Sequence, residues 1–593
     1  MFLQRNSSSA LNSVPRLLCV AACQTIGRMS SGFFSRYFTR RALRMGLLFG
    51  LSLHAAADEP FSVQLDVDAA KSLGPLKPVW RFFGADEPNY ATMKDGRKLL
   101  ESLGALSHRN GYFRAHNLLT SGDGTPALKW GSTGIYREDA AGRPIYDWSI
   151  VDAIFDAYRN CGLRPYVEVG FMPQDLSIQP VPYQHHWRPD RPSELFTGWA
   201  YPPKNYEKWA ELVHRWASHC VERFGAEEVN RWYWETWNEA NIGYWQGTPA
   251  EFLKLHDCAV DAVRRALPSA RVGGPDCAGY GGPWMRRFLE HCLRGTNFAT
   301  GRIGTPMDFI SFHAKGAPVY TNGHVRMGIA THLQEVDRAF KLIASYPELK
   351  NTPVVIGESD PEGCAACQGP PLSYRNGTLY SSYTAAAFAR QMDLAARRGV
   401  NLEGILTWAF EFEGQPCFAG FRALASCGID LPELNVFRML GKMQGQRLAA
   451  GSSGEIPLEQ MLAAGARDRA DVSTIAAEDG ESLTILVWHY HDDDLPGPAA
   501  RVDLRVRGLG RDKDLKIEHY RIDSRHSNAY SAWQRMGSPP VPSRAQHDEL
   551  LAAAKLAQLE RGPTSVEVRN GTAELTFELP RQAVSLLVLE ATR

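Results

Sequence analysis

Between residues 78 and 445 short apolar runs alternate with longer stretches in which apolar residues recur three or four positions apart. The first kind reads as buried strand and the second as amphipathic helix. Trp80–Gly84 precedes a helix over Met93–Leu103, and Gly111–Asn117 precedes one over Ile150–Arg159. Leu163–Phe171 precedes a long helix, Tyr206–Phe224, whose Tyr206, Trp209, Val213, Trp216, Cys220 and Phe224 share a face. The aromatic run Val229–Trp237 is the fourth strand, with its helix over Phe252–Leu267. Ala270–Gly274, Met307–His313, Pro353–Glu358 and Leu402–Phe410 complete the strand set. Their helices fall near Trp284–Leu293, over Leu333–Ser345, over Thr384–Arg398 and near Pro432–Met443. Eight such units in succession predict an α/β fold, a (β/α)8 TIM barrel over residues 78–445, with its chemistry at the C-terminal strand ends.

After about residue 446 the period changes. Leu483–His489, Ala500–Val506, Leu515–Arg521, Ser565–Val568, Ala573–Glu578 and Ala583–Leu589 are short runs separated by turn residues. They predict a C-terminal β-sandwich domain over residues 446–593, interrupted by a helical insert over Gln546–Leu559. Phe61–Val67 lies before the barrel, and residues 58–77 are expected to add a strand to that sandwich. Residues 58–593 contain no internal repeat and no low-complexity tract.

Residues 1–57 read differently. Arg40, Arg41 and Arg44 precede the apolar run Met45–Leu53, and Ala55-Ala56-Ala57 follows. A basic start, a short apolar core and a small-residue cleavage site make an export signal, and the run is too short to span a bilayer. Its distance from residue 1 makes Met29 a candidate start. The mature chain is expected to begin near Asp58 and to be secreted or periplasmic, with no membrane span. Formal charge is zero and the pI is about 7.3, which leaves no electrostatic footprint for nucleic acid. Nine of the 11 cysteines lie beyond the leader. Export favours disulfides, and Cys364-Ala365-Ala366-Cys367 pairs internally or with Cys417 and Cys427, bracing a loop near the candidate site. The odd number leaves at least one thiol free.

Two strand ends carry the candidate chemistry. Glu239, in Trp234-Glu235-Thr236-Trp237-Asn238-Glu239-Ala240-Asn241, closes the fourth strand, and Glu358 closes the seventh. A carboxyl group beside tryptophans is poorly solvated, which favours its neutral form, and a neutral Glu can donate a proton. Two carboxyls on different strand ends of one sheet are what glycoside hydrolysis uses. The structural alternative for each is a strand-end Glu paired with a surface cation. Asn238 adjoins the first carboxyl. His116 ends the second strand, as a binder of substrate hydroxyls or a hydrogen-bonded structural His. His313 and Lys315 end the sixth, where Lys315 holds a substrate carboxylate, neutralises the site or is simply solvated. Trp408, followed by Glu411 and Glu413, ends the eighth and either floors a sugar pocket or fills core. Glu168 reads as a buried structural carboxylate, and Asp492-Asp493-Asp494 as a solvated acidic turn. No metal-ligand, phosphate-loop, nucleophile-elbow or dinucleotide motif is present, so no cofactor and no metal are expected.

Trp237-Asn238-Glu239 on strand four with Glu358 on strand seven resembles the barrel clan of retaining glycosidases. More closely, the chain resembles glycoside hydrolase family 39, which holds β-xylosidases and α-L-iduronidases. Val67-Asp68-Ala69-Ala70, Gly273-Gly274-Pro275, Asp308–His313, His519–Asp523 and His526–Tyr530 carry the likeness. The resemblance implies Glu239 as acid/base, Glu358 as nucleophile, and Asn238 and His116 as holders of sugar hydroxyls. Ala240 departs from it, standing where a Pro is usual. Glu358-Ser359-Asp360-Pro361 and His313-Ala314-Lys315-Gly316 resemble the iduronidase branch, in which the Lys matching Lys315 contacts the uronate carboxylate, with Arg422 close to where a second contact is expected. The expectation is therefore a retaining glycoside hydrolase that releases terminal sugars from an oligosaccharide or polysaccharide, β-xylosidase type first. An α-L-iduronidase-like hydrolase is the alternative, and a non-catalytic carbohydrate-binding protein is the alternative of another class.

Overall fold

The structure, a computed structural model, describes residues 59–480, 482–510 and 514–591; the leader expected over residues 1–57 lies outside them. Eight parallel strands close into a barrel: β1 (Phe82–Ala85), β2 (Gly111–Ala115), β3 (Leu163–Val169), β4 (Tyr233–Thr236), β5 (Arg271–Cys277), β6 (Phe309–Lys315), β7 (Val354–Asp360) and β8 (Leu402–Thr407). They pair in chain order, and β8 returns to β1 with Leu406 opposite Phe82. The helices that follow them are α1 (Lys94–Leu106), α2 (Ser149–Asn160), α3 (Tyr206–Phe224), α4 (Pro249–Ala266), α5 (Pro283–Arg294), α6 (Ile329–Ala344), α7 (Thr378–Arg398) and α8 (Pro432–Gly441). The barrel is the architecture that the alternating pattern predicts.

The fourth strand is shorter than its apolar run. Ala226–Val229 is a helical turn, and pairing covers Tyr233–Thr236 alone. Trp237 and Glu239 then take φ of 69° and 43°, so the chain leaves the ladder at the candidate motif.

Inside the barrel the side chains form layers, as closure requires. Phe82, Tyr112, Tyr166, Tyr233 and Phe309 make an aromatic layer, with Tyr166–Tyr233 and Tyr233–Phe309 ring centroids 5.0 Å apart. Strand period puts the residue two positions on at the same face. Arg114, Glu168, Glu235 and Ser311 therefore form a polar layer directly above the aromatic one, and all four are buried. That layer is the floor of the candidate site.

The sheet-rich region is an eleven-stranded sheet. The N-terminal strand Phe61–Pro75 lies within it, antiparallel to Gln446–Ser452 and parallel to Ala500–Arg507. The sequence pattern missed Gln446–Ser452 and Asp471–Glu478, the latter because buried polar residues interrupt it. One of these, Asp471, accepts from Arg390 of α7 at 2.8 Å and from Trp488 at 2.9 Å, which ties the sheet to the barrel. The helical insert runs over Arg544–Ala553, opened by a Ser543–Gln546 capping box; Ala557–Gln558 beyond it is strand. Among the described residues no helix is long and apolar enough to cross a membrane.

Candidate active site

Arg114 on β2 organises the floor. Its Nε donates to Glu235 at 2.7 Å, and its Nη2 reaches Glu168 at 2.8 Å, Asn238 at 3.2 Å and, more tightly, Asp276. Register explains the arrangement: Arg114 lies opposite Tyr166, and Glu168 opposite Glu235. An arginine buried this deeply needs carboxylate partners. Tyr166 donates to Glu235 at 2.8 Å. Burial, then the charge of Asp276, push the Glu235 carboxyl up to about 7 despite Arg114.

Above this floor strands six and seven run side by side, with His313 opposite Glu358 and Lys315 opposite Asp360. Glu358 lies 5% exposed at the end of β7. Lys315 Nζ donates to its Oε2 at 2.7 Å and to Asp360 at 2.5 Å. Its Oε1 stands 3.7 Å from Arg114 Nη1, 3.8 Å from His116 Nε2 and 3.8 Å from His313 Nδ1. Burial alone would raise the Glu358 carboxyl, but His313, Lys315, His116 and Arg114 outweigh it and hold the group well below the usual carboxylate range. Glu358 is thus an ionised carboxylate.

Glu239 keeps partial exposure, its side chain 16% open. His313 Nδ1 donates to its Oε1 at 2.8 Å, and His313 Nε2 lies 2.9 Å from Asp276 Oδ1. Burial would lower His313, yet Asp276 and Glu358 push it up to about 10, so the ring is an imidazolium with both nitrogens protonated. Because one nitrogen lies 2.8 Å from Glu239 Oε1 and 3.8 Å from Glu358 Oε1, the two carboxylate oxygens are closer together than the sum of those distances. That limit on one oxygen pair is compatible with the about 5–5.5 Å between carboxyl groups used for retention.

The remaining sequence candidates divide. His116 donates from Nδ1 to Glu168 at 2.6 Å and turns Nε2 to Glu358 and Asp86. Trp408 lies against His116 with ring centroids 4.3 Å apart, and its Nε1 donates to Asp86 at 2.7 Å. A Cβ on Gly84 would fall 2.3 Å from the Trp408 indole, so β1 needs glycine there. Asn238 joins the Arg114 network through Oδ1. Glu168 is fully buried under Arg114 and His116. Arg422, fully buried, bonds Trp408 O at 2.9 Å and Glu362 at 2.8 Å, and its Nη2 lies 3.5 Å from Asp360 Oδ2, the oxygen that Lys315 also holds. Glu413 is used structurally, accepting from Asp95 and Gly96 at the start of α1.

Two disulfides, Cys364–Cys367 and Cys417–Cys427, lie in the loops after β7 and β8. Arg375 joins those loops, bonding Cys364, Cys367 and Gly420 carbonyls. Cys161, Cys220, Cys258, Cys277 and Cys292 are free thiols. Asp493, read from sequence as solvated, instead pairs with Arg326 at 2.5 Å and His324 at 3.1 Å.

Sequence reasoning missed Asp276, Asp86, Lys129 and Tyr244. Asp276 follows Gly273-Gly274-Pro275 and looks like a loop residue, but its backbone carbonyl accepts from Glu239 N at 2.9 Å while its carboxylate meets Arg114 and His313. The phenol of Tyr244, on the loop after Glu239, is pushed well up by burial and by the charges of Asp86, Glu239 and Glu358. A signal was available for Tyr244 alone: it follows the candidate acid by five residues on one loop.

The glycosyl hydrolases family 39 profile matches residues 63–569. A β-xylosidase of Caldicellulosiruptor saccharolyticus is 26% identical over 548 residues, covering 89% of this chain and 98% of that protein. An α-L-iduronidase of Mus musculus is 28% identical over 525 residues, covering 83% of this chain and 75% of that one. Among solved structures, a monomeric β-xylosidase from Caulobacter crescentus CB15 superposes with TM-score 0.69 at 22% identity, over 89% of this chain and all of that one, a likeness of fold.

Proposed function

The chain belongs to glycosyl hydrolases family 39, and we propose that within it this protein releases terminal β-xylosyl residues by double displacement. Glu239 gives its proton to the glycosidic oxygen while Glu358 attacks the anomeric carbon, and the C–O bond to the leaving group breaks. The sugar is then held as an ester of Glu358. Glu239, now a carboxylate, takes a proton from water; that water attacks the same carbon and restores the Glu358 carboxylate. The configuration is retained. One observation supports this reading: a single nitrogen, His313 Nδ1, lies 2.8 Å from Glu239 Oε1 and 3.8 Å from Glu358 Oε1, so the two carboxyl groups converge on one spot at the strand ends.

The xyloside is favoured over the uronate by the state of Lys315. Its ammonium already serves two carboxylates, Glu358 and Asp360. A sugar carboxylate placed there would compete with Glu358 and Asp360 for the Lys315 ammonium. The xylosidase and iduronidase readings assign the two glutamates identically. The test is hydrolysis of aryl β-D-xyloside against aryl α-L-iduronide, with proton NMR of the first-formed anomer. Faster xyloside cleavage with β-xylose appearing first supports the proposal; iduronide preference, or α-xylose appearing first, overturns it.

The same proposal takes the sheet-rich region as a β-sandwich, since inward residues from both halves of the sheet, such as Val63, Leu65, Val502, Ile485 and Leu587, share one core. It also takes the protein as exported, which suits two disulfides and the segment Met45–Ala57.

A further inference from the structure

Asp86 and Lys129 form an ion pair that the roles above do not use. Asp86 is the first residue beyond β1, beside Trp408 beyond β8 and His116 beyond β2. Its Oδ1 accepts from Trp408 Nε1 at 2.7 Å and lies 3.5 Å from His116 Nε2, the nitrogen that also faces Glu358 at 3.8 Å. Its Oδ2 accepts from Lys129 Nζ at 3.3 Å. Lys129 is fixed from both sides: its backbone N–H donates to Glu87 at 2.5 Å, and its carbonyl meets His185 Nε2 at 3.1 Å. Its ammonium stands 5.6 Å from the half-buried Trp187 ring. Of its three N–H bonds, among the described residues only the one to Asp86 is used. Both side chains keep a narrow opening, 9% for Lys129 and 7% for Asp86.

We propose that the Asp86–Lys129 pair recognises two adjacent hydroxyl groups of the terminal sugar. A charged acceptor and a charged donor stand side by side about one hydrogen bond apart, which is also the spacing of neighbouring hydroxyls on a pyranose. One hydroxyl donates to the free lone pairs of Asp86, and its neighbour accepts from Lys129. Hydrogen bonds to charged groups are the strong ones. Trp408 and Lys129 fix Asp86, so little rotamer freedom is lost on binding. The pair is neutral as a unit, and Asp86 with Glu358 nearby repels an acidic substituent at this position. The pair thus requires a free vicinal diol and makes this wall of the site selective for neutral sugars.

This inference rests on the glycosidase reading, and the test separates the two. Binding is measured by tryptophan fluorescence on the intact protein, with a xylose-configured iminosugar that has no glycosidic bond to cleave. Its three monodeoxy analogues and an iduronate-configured analogue complete the panel. Hydrolysis of aryl β-D-xyloside by the same preparation reports the glycosidase reading independently. Removal of the two hydroxyls read by the pair is expected to weaken wild-type binding by about 10- to 100-fold each. In Lys129→Met and Asp86→Asn, checked for folding by near-ultraviolet circular dichroism, the penalty at the corresponding position should shrink to within about threefold. Undiminished penalties in both variants overturn the inference, because a merely structural pair would weaken all ligands alike. So does absence of binding by the xylose-configured ligand, and so does tighter binding of the uronate analogue that depends on Lys129, which would make Lys129 an anion clamp.

Discussion

His313 holds Glu239 through a 2.8 Å hydrogen bond from Nδ1. The same imidazolium leans on Asp276 and stands 3.8 Å from Glu358, so one cation serves both carboxyl groups of the site. Removing it in His313→Gln should lower kcat/KM on aryl xyloside by about 10- to 100-fold, the worth of a charge-assisted hydrogen bond. The sign of the pH effect follows. A positive neighbour lowers a carboxylate pKa, so its loss raises that of Glu358, and the acid limb of kcat/KM moves to higher pH by about one unit. His313 is itself raised from 6.5 to about 10, so its share of stability is complete below pH 6.5 and is lost as pH climbs through about 10. Thermal unfolding across that interval should show a smaller pH dependence in the variant than in wild type.

Lys315 donates to Glu358 at 2.7 Å, so it matters for any substrate. Lys315→Met should reduce xyloside and other glycoside hydrolysis by a similar factor, about tenfold, and should also move the acid limb upward. Parallel pH–rate profiles on two substrates check this; a loss confined to an acidic sugar would contradict it.

Gly357 precedes the nucleophile and adjoins Asp276, whose Oδ1 would lie 2.3 Å from a Cβ added there. Gly357→Ala must push Asp276 away from Arg114 and His313. Overpacking of this kind costs about 1–3 kcal/mol, measurable by chemical denaturation, and activity should fall by about tenfold or more because the His313 support moves with it.

Glu433 on α8 is buried at 1% exposure, with neither carboxylate oxygen hydrogen-bonded in a defined geometry. Burial pushes its carboxyl up to about 8. A raised carboxylate contributes stability that is full below its ordinary value of 4.5 and is lost as pH rises through about 8. Glu433→Gln keeps the neutral shape. Its melting temperature should match wild type near pH 4.5, exceed it increasingly up to about pH 8 and by a constant margin above that, as scanning calorimetry would record.

The barrel was legible because buried parallel strands read as unbroken apolar runs and their helices as clean 3.6-residue stripes. Glu239 and Glu358 were legible because each ends such a run. Residues whose meaning lies in another strand were not. Arg114 reads as one more polar residue until register sets it among Glu168, Glu235 and Asp276. Asp86 and Lys129 lie on loops and meet only when β1 and β2 are adjacent. The strand Asp471–Glu478 escaped for a related reason: its buried polar positions are satisfied by Arg390 and Trp488, contacts no local pattern announces. Arg422 takes its place only through loop contacts: Nε and Nη1 bond the Trp408 carbonyl and Glu362, and Nη2 lies 3.5 Å from Asp360.

In this mechanism Glu358 bears the sugar between the two steps. Incubation with an activated 2-deoxy-2-fluoro-β-xyloside slows both steps but permits the first, so the ester accumulates. Mass spectrometry of the digested protein should find one fluoroxylosyl group on the peptide containing Glu358, absent in Glu358→Gln and released with return of activity when excess acceptor is added. Turnover without any trapped ester, or a label on Glu239 instead, would contradict the account.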